Sequence, residues 1–96
     1  MTVRVVARIR SRPDTVAALR AVLEALVPPS RREPGCVAYT LLQNSKDPTD
    51  FTTVEEWRSE ADEAAHMRTP HVQAALAQVP PLLAAAPEIC QYRVLA

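Results

Sequence analysis

The stretch EEWRSEADEAAHMRTPHVQAAL, residues 55–76, carries both histidines of the chain, its single tryptophan and a dense set of carboxylates. An imidazole ionises near pH ~6.5, so one positioned histidine can serve as a general base near neutral pH. His66 is the foremost candidate base, because Asp62 stands one helical turn earlier, where a carboxylate can orient the ring. His71 follows Pro70 in the first turn of a second helix, where it either closes a pocket or serves as a structural cap. As a metal pair the two are poor: they lie five apart across a helix break, outside the i,i+4 spacing of helical zinc motifs, with no third ligand in view. No metal site is expected. No Ser/His/Asp or Cys/His set is legible, and the single glycine excludes a Gly-rich phosphate cradle.

Other side chains surround this pair. Glu55 and Trp57 share a strand face with Phe51 and Thr53, by the two-residue period of a strand. If that face meets the helices, Glu55 is a costly buried acid unless it is paired. Arg93 on the last strand is the partner expected, in a link that either fixes the sheet or serves the site. Trp57 and Phe51 supply apolar surface, to a core or to a ligand. Tyr39 can offer its hydroxyl to a bound small molecule, or simply pack.

The elements that must hold these residues can be read from periodicity. Residues 3–10 alternate Val3, Val5, Ala7 and Ile9 against Arg4, Val6, Arg8 and Arg10, a half-buried strand. Val16, Leu19, Leu23, Leu26 and Val27 recur at helical spacing, so residues 14–27 form an amphipathic helix that Pro28 and Pro29 end. REPG is a turn. Residues 36–43 form a second strand, with Val37, Tyr39 and Leu41 on one face, and residues 51–57 a third, paired antiparallel across NSKDPTD. Ser59 to Asp62 is a capping-box pattern, and Thr69-Pro70 fits the N-cap and first position of another helix. Residues 88–95 close the pattern as a fourth strand. The order β-α-β-β-α-β is the ferredoxin-like α+β arrangement, an antiparallel four-stranded sheet with helices on one face. Its uncovered face is partly apolar, so a homodimer with sheets packed face to face is expected.

Composition bounds the function. With 96 residues, the chain reads as one domain, 1–96, small enough that association would help it. Eleven acids balance eleven bases, so no net field draws it to nucleic acid or an anionic membrane surface. Arg4, Arg8, Arg10 and Arg12 have no run of aromatics beside them to stack bases. Cys36 and Cys90 are too few for a disulfide framework. No apolar run approaches the ~20 residues that span a bilayer, and no signal-peptide core follows Met1; the cytoplasm is the expected location.

The segments EPGCVAYTLLQNSKDPTDFTTVEEWRS and AHMRTPHVQAAL together resemble the antibiotic-biosynthesis-monooxygenase family. The resemblance rests on Pro34-Gly35, Tyr39, Phe51, Glu55-x-Trp57 and His66-x-x-Thr69-Pro70-His71 in that order, and it spans nearly the whole chain. It implies a dimeric α+β barrel. The family includes cofactor-independent oxygenases of polycyclic phenols, quinol oxidases, haem-degrading enzymes and an isomerase of a phosphorylated sugar. The haem branch is set aside: its tryptophan falls on His66, its haem-ligating histidine on Ala75 and its first-strand asparagine near Val6. The resemblance turns Asp62, Glu63, His66 and Met67 inward, whereas the alanines of that helix would turn His66 to water. Small alanines define a helical face poorly, so the inward placement is expected.

The expectation is therefore a dimeric, cofactor-independent monooxygenase or quinol oxidase that acts with dioxygen on an aromatic or polyphenolic molecule. His66 is its base, His71 and Tyr39 position substrate, and Phe51, Glu55, Trp57, Asp62, Glu63, Met67 and Arg93 line the site. Two other readings stay open: an isomerase of a small, phosphorylated carbonyl compound using the same base, and a non-catalytic dimeric domain that binds a small molecule.

Overall fold

The computed structural model describes residues 2–96. The elements run β1 (Val3–Arg10), α1 (Val16–Arg31), β2 (Cys36–Gln43), β3 (Asp50–Trp57), α2 (Glu60–Met67), α3 (Pro70–Gln78), a 3₁₀ turn (Pro80–Leu82) and β4 (Glu88–Tyr92). The strands form one sheet in the order β2-β3-β1-β4, and every neighbouring pair is antiparallel. This is the ferredoxin-like α+β fold that the element order implied. No helix among the described residues is long and apolar enough to cross a membrane.

The β1–β3 register sets Val5 opposite Glu55, Ala7 opposite Thr53 and Ile9 opposite Phe51. These pairs make the inner face, onto which the helices pack. The core falls into two clusters: Leu19, Leu23, Phe51 and Val79 in one, and Val5, Tyr39 and Trp57 in the other. On the opposite face, the exposed side chains of Val54 and Leu42 lie among ion pairs, Arg4–Glu56 at 3.5 Å and Arg8–Asp50 at 3.7 Å.

Three expectations need correction. First, α1 does not stop at Pro28 but continues to Arg31 with both prolines inside it. Each proline removes one i→i−4 bond, to the carbonyls of Glu24 and Ala25. Both residues are exposed, so water can take those carbonyls. Second, the β2 register slips between Cys36 and Ala38. That bulge turns Val37 out to 52% exposure and brings Cys36 against the Tyr39–Trp57 cluster. Third, β4 ends at Tyr92 rather than 95, and Val94 and Leu95 are exposed.

Gly35 is required by close approach. A Cβ there would collide with Cβ and Cγ of Asp62, so the turn after α1 lies directly on α2. Gly35→Ala must push α2 away or distort the turn. We expect it to cost about 1–3 kcal/mol, read as a fall in thermal midpoint of roughly 4–20 °C.

Candidate functional site

The site is built where α2 hands over to α3. Ser59 caps α2 by accepting the Asp62 N–H at 3.1 Å, and this starts the helix that carries His66 in its last turn. Thr69 joins the two helices: its hydroxyl donates to the His66 carbonyl at 2.7 Å and caps α3 by accepting the Val72 N–H at 3.4 Å. Pro70 then occupies the first turn, where its missing N–H costs nothing. The break brings the His66 and His71 rings to a centroid distance of 6.1 Å, which one continuous helix would not do for residues five apart.

Glu33 unites the two. Its Oε2 lies 2.7 Å from His66 Nδ1 and 2.8 Å from His71 Nε2. An ionised carboxylate only accepts, so both imidazole nitrogens donate to it. A neutral His66 then keeps its lone pair on Nε2. That nitrogen lies 4.0 Å from Glu55 Oε1, so the ring stands between two carboxylates, its side chain 5% exposed. Trp57 packs on it at a centroid distance of 4.4 Å, with Tyr39 at 5.7 Å.

Glu55 is buried without a cationic partner of its own strand layer. Its Oε2 accepts from the Thr53 hydroxyl at 2.7 Å and its Oε1 from the Trp57 indole N–H at 3.0 Å. Residues i−2, i and i+2 of one strand face satisfy one another, and this offsets the cost of the buried acid. Arg93, the partner expected from the sequence, is exposed and lies beyond the end of β4.

A cavity of about 90 Å³ opens beside His66 and Glu55, and Tyr39, Thr53 and Met67 also line it. Its remaining wall is apolar and includes Leu23, Val72, Leu76 and Ile89. Leu76 and Ile89 are 42% and 47% exposed, so the mouth is apolar too.

Among the residues singled out from sequence, the structure brings together His66, His71, Tyr39, Glu55 and Met67. Trp57 belongs to the site as the surface behind His66, not as a cavity wall. Phe51 does not: it is 1% exposed and packs with Leu19, Leu23 and Val79. Asp62 does not orient His66, because its carboxylate accepts from the Ser59 hydroxyl at 3.0 Å and lies against Gly35. Glu63 accepts from Gln91 at 3.1 Å, away from the cavity. Glu33 and Thr53 are site polar groups that the sequence did not mark as such. The available signal for Glu33 was an acid placed directly before Pro34-Gly35, in the turn after an extended helix.

Burial, and then the nearby Glu55 carboxylate, push the Tyr39 phenol above its ordinary value near 10. The folded state therefore holds that proton after the unfolded chain has lost it, and the associated stability declines as pH rises above ~10. We expect the urea midpoint to fall between pH ~9 and ~11, and the fall to be smaller in Tyr39→Phe. An equal fall in both proteins would exclude Tyr39 as its source.

The fold and site define a small α+β protein with a buried histidine–carboxylate cluster at an apolar cavity. The chain belongs to the antibiotic biosynthesis monooxygenase family, whose model matches residues 2–78. It is 41% identical over 81 residues to Rv0793 of Mycobacterium tuberculosis, which has a provisional monooxygenase name; the match covers 84% of this chain and 79% of that one. The structure of Rv0793 superposes with a TM-score of 0.94 at 33% identity, covering 100% of this chain and 97% of the other. PA3566 of Pseudomonas aeruginosa superposes with a TM-score of 0.94 at 35% identity, covering 99% and 95%. The chain is also 31% identical to the Synechocystis protein sll1783 over 90 residues, which is 94% of this chain but only 61% of that one.

Proposed function

We propose that the chain is a cofactor-independent monooxygenase or quinol oxidase of an aromatic or polyphenolic small molecule, acting with dioxygen in the cytoplasm. The single observation that carries this reading is the placement of His66. Its Nδ1 is held by Glu33 and its Nε2 stands beside Glu55 at an apolar cavity. In that arrangement Nε2 takes the phenol or quinol proton, and the two carboxylates support the imidazolium that forms. The deprotonated substrate supplies the electrons. An anthrone-type carbon bearing two hydrogens and one dioxygen gives a carbonyl and a water; a quinol and one dioxygen give a quinone and hydrogen peroxide. The residues act by taking the proton, orienting the ring system and excluding water.

The cavity is below the roughly 300 Å³ of an ordinary ligand pocket, so an aromatic ring enters by displacing flexible side chains at the mouth, Met67 and Leu76 foremost. No arginine or lysine lines it. That favours a neutral aromatic over a phosphorylated sugar, whose phosphate would need a cationic clamp. The same reading takes residues 1–96 as one unit of this family, paired with a second copy through the sheet face bearing Val54 and Leu42.

Oxygen consumption by the purified chain with a panel of quinols and anthrones tests it. Wild type is expected to exceed the uncatalysed rate, and Glu33→Gln, which loosens the grip on Nδ1, to lose about tenfold or more. A panel that gives no uptake above background would turn the reading toward a binding domain.

A further inference from the structure

Glu33, His66 and His71 are more than a base and its support. One atom from each, Oε2, Nδ1 and Nε2, lies within 4.8 Å of the other two. The two nitrogens stand 2.7 and 2.8 Å from the shared oxygen. Ligand atoms around a tetrahedral zinc-type ion are about 3.3 Å apart, given metal–ligand distances near 2.1 Å. To reach coordination geometry the two N···O separations widen by about half an ångström, and the two nitrogens close by no more than about 1.5 Å. It also has an entrance: the His71 side chain is 22% exposed and that of Glu33 13%, whereas His66 lies at the closed end. Two imidazoles and one carboxylate are a donor set that suits zinc, cobalt, nickel or ferrous ions over the hard alkaline-earth cations. The third ligand that the histidine pair lacked in the sequence is supplied by a residue more than thirty positions away.

We propose that Glu33, His66 and His71 bind one divalent transition-metal ion of the zinc class, and that this ion switches off His66 as a base. The ion binds His66 Nδ1 from the side facing Glu33, in the tautomer whose ring proton has moved from Nδ1 to Nε2. It binds His71 Nε2 in the tautomer whose ring proton has moved to Nδ1. The His66 ring proton then resides on Nε2, the nitrogen beside Glu55, and no lone pair remains at the cavity. Water fills the remaining coordination positions on the exposed side of His71. The ion is thus an inhibitor competing with the Glu33–histidine hydrogen bonds, not a cofactor. The binding site stands on geometry alone; only its consequence rests on the reading of His66 as base.

The test uses the intact chain freed of metal with chelator, with Zn²⁺ as the probe. Equilibrium dialysis is expected to give one Zn²⁺ per chain, weakened roughly tenfold or more in His71→Ala. His71 lies at a part-exposed helix start, so circular dichroism should show that this variant remains folded. In the zinc form, two-bond nitrogen–proton NMR should show His66 bound through Nδ1 with a proton on Nε2. Absence of Zn²⁺ binding, or binding that His71→Ala leaves unchanged, would overturn the site. Zinc on Nε2 of His66 would overturn the switch, as would cobalt spectra with thiolate bands from Cys36 or Cys90. None of these readouts needs turnover, so a chain that consumes no oxygen fails the functional reading while leaving the metal site to be judged by itself. Where turnover is present, stoichiometric Zn²⁺ should abolish it and chelator restore it.

Discussion

His66→Ala is expected to lower oxygen uptake by at least about a hundredfold, the lower end of what a positioned general base contributes. The argument is geometric. His66 is the one imidazole that both lines the cavity and has its far nitrogen held by a carboxylate. His71 shares that carboxylate but is absent from the cavity wall, and its ring centroid is 6.1 Å from that of His66. On the proposed reading it positions Glu33 and does not replace His66 as the base. His71→Ala is accordingly expected to cost only about tenfold. Because His66 fills space between Trp57 and Tyr39, the alanine also leaves a hole, and His66→Gln is the companion that keeps most of the volume. Initial rates on an oxygen electrode decide it. Loss in both variants, with partial recovery of the alanine protein by added imidazole, marks a base; retention of activity in the folded glutamine variant would remove His66 from the chemistry.

Trp57→Ala is expected to be the most damaging single change to stability, at about 3–5 kcal/mol. Trp57 is fully buried, at 0% exposure. It lies at the end of β3, with Val5 and Tyr39 packed around it and His66 against its ring. Its indole N–H is also one of the two donors on Glu55. The variant therefore combines a large cavity with a buried carboxylate short of a partner. Set against a total stability of roughly 5–15 kcal/mol for a domain of this size, the loss takes much of what there is. Trp57→Phe separates the contributions: it retains most of the ring and loses the N–H, so it should cost about 1–3 kcal/mol. Urea denaturation of the three proteins checks both values. A phenylalanine variant as damaged as the alanine one would place the effect in the Glu55 hydrogen bond, and one as stable as wild type would place it all in packing.

Local order was legible where periodicity and punctuation agree. The alternation of Val3, Val5, Ala7 and Ile9, the caps at Ser59 and Thr69 and the shared face of Phe51, Thr53, Glu55 and Trp57 all act within a few residues, and the structure keeps each of them. Their sequence of elements is enough to imply the ferredoxin-like fold, because few topologies accommodate that order. Proline punctuation misled at Pro28-Pro29, since a lost hydrogen bond on an exposed helix face is replaced by water, and α1 runs on by one turn. The one-residue slip at Val37 was equally hidden, because an alternating pattern reads the same until a bulge shifts it.

The candidate site divides along the same line. The sequence by itself determined that one histidine would stand in the last turn of a helix and the other just beyond a Thr-Pro break, with an acid and a tryptophan two apart on a strand. Only the tertiary structure decided which carboxylate meets which ring. Asp62 was near in sequence, but its carboxylate is engaged by its own helix cap. Glu33 was distant, but the extended α1 and the close approach of Gly35 to α2 carry it to both imidazoles. Thr53 and Trp57 took the place expected of Arg93. Backbone preferences act over one or two turns of chain, whereas the partners of a buried charge are whatever donors the packed elements bring within about 3 Å.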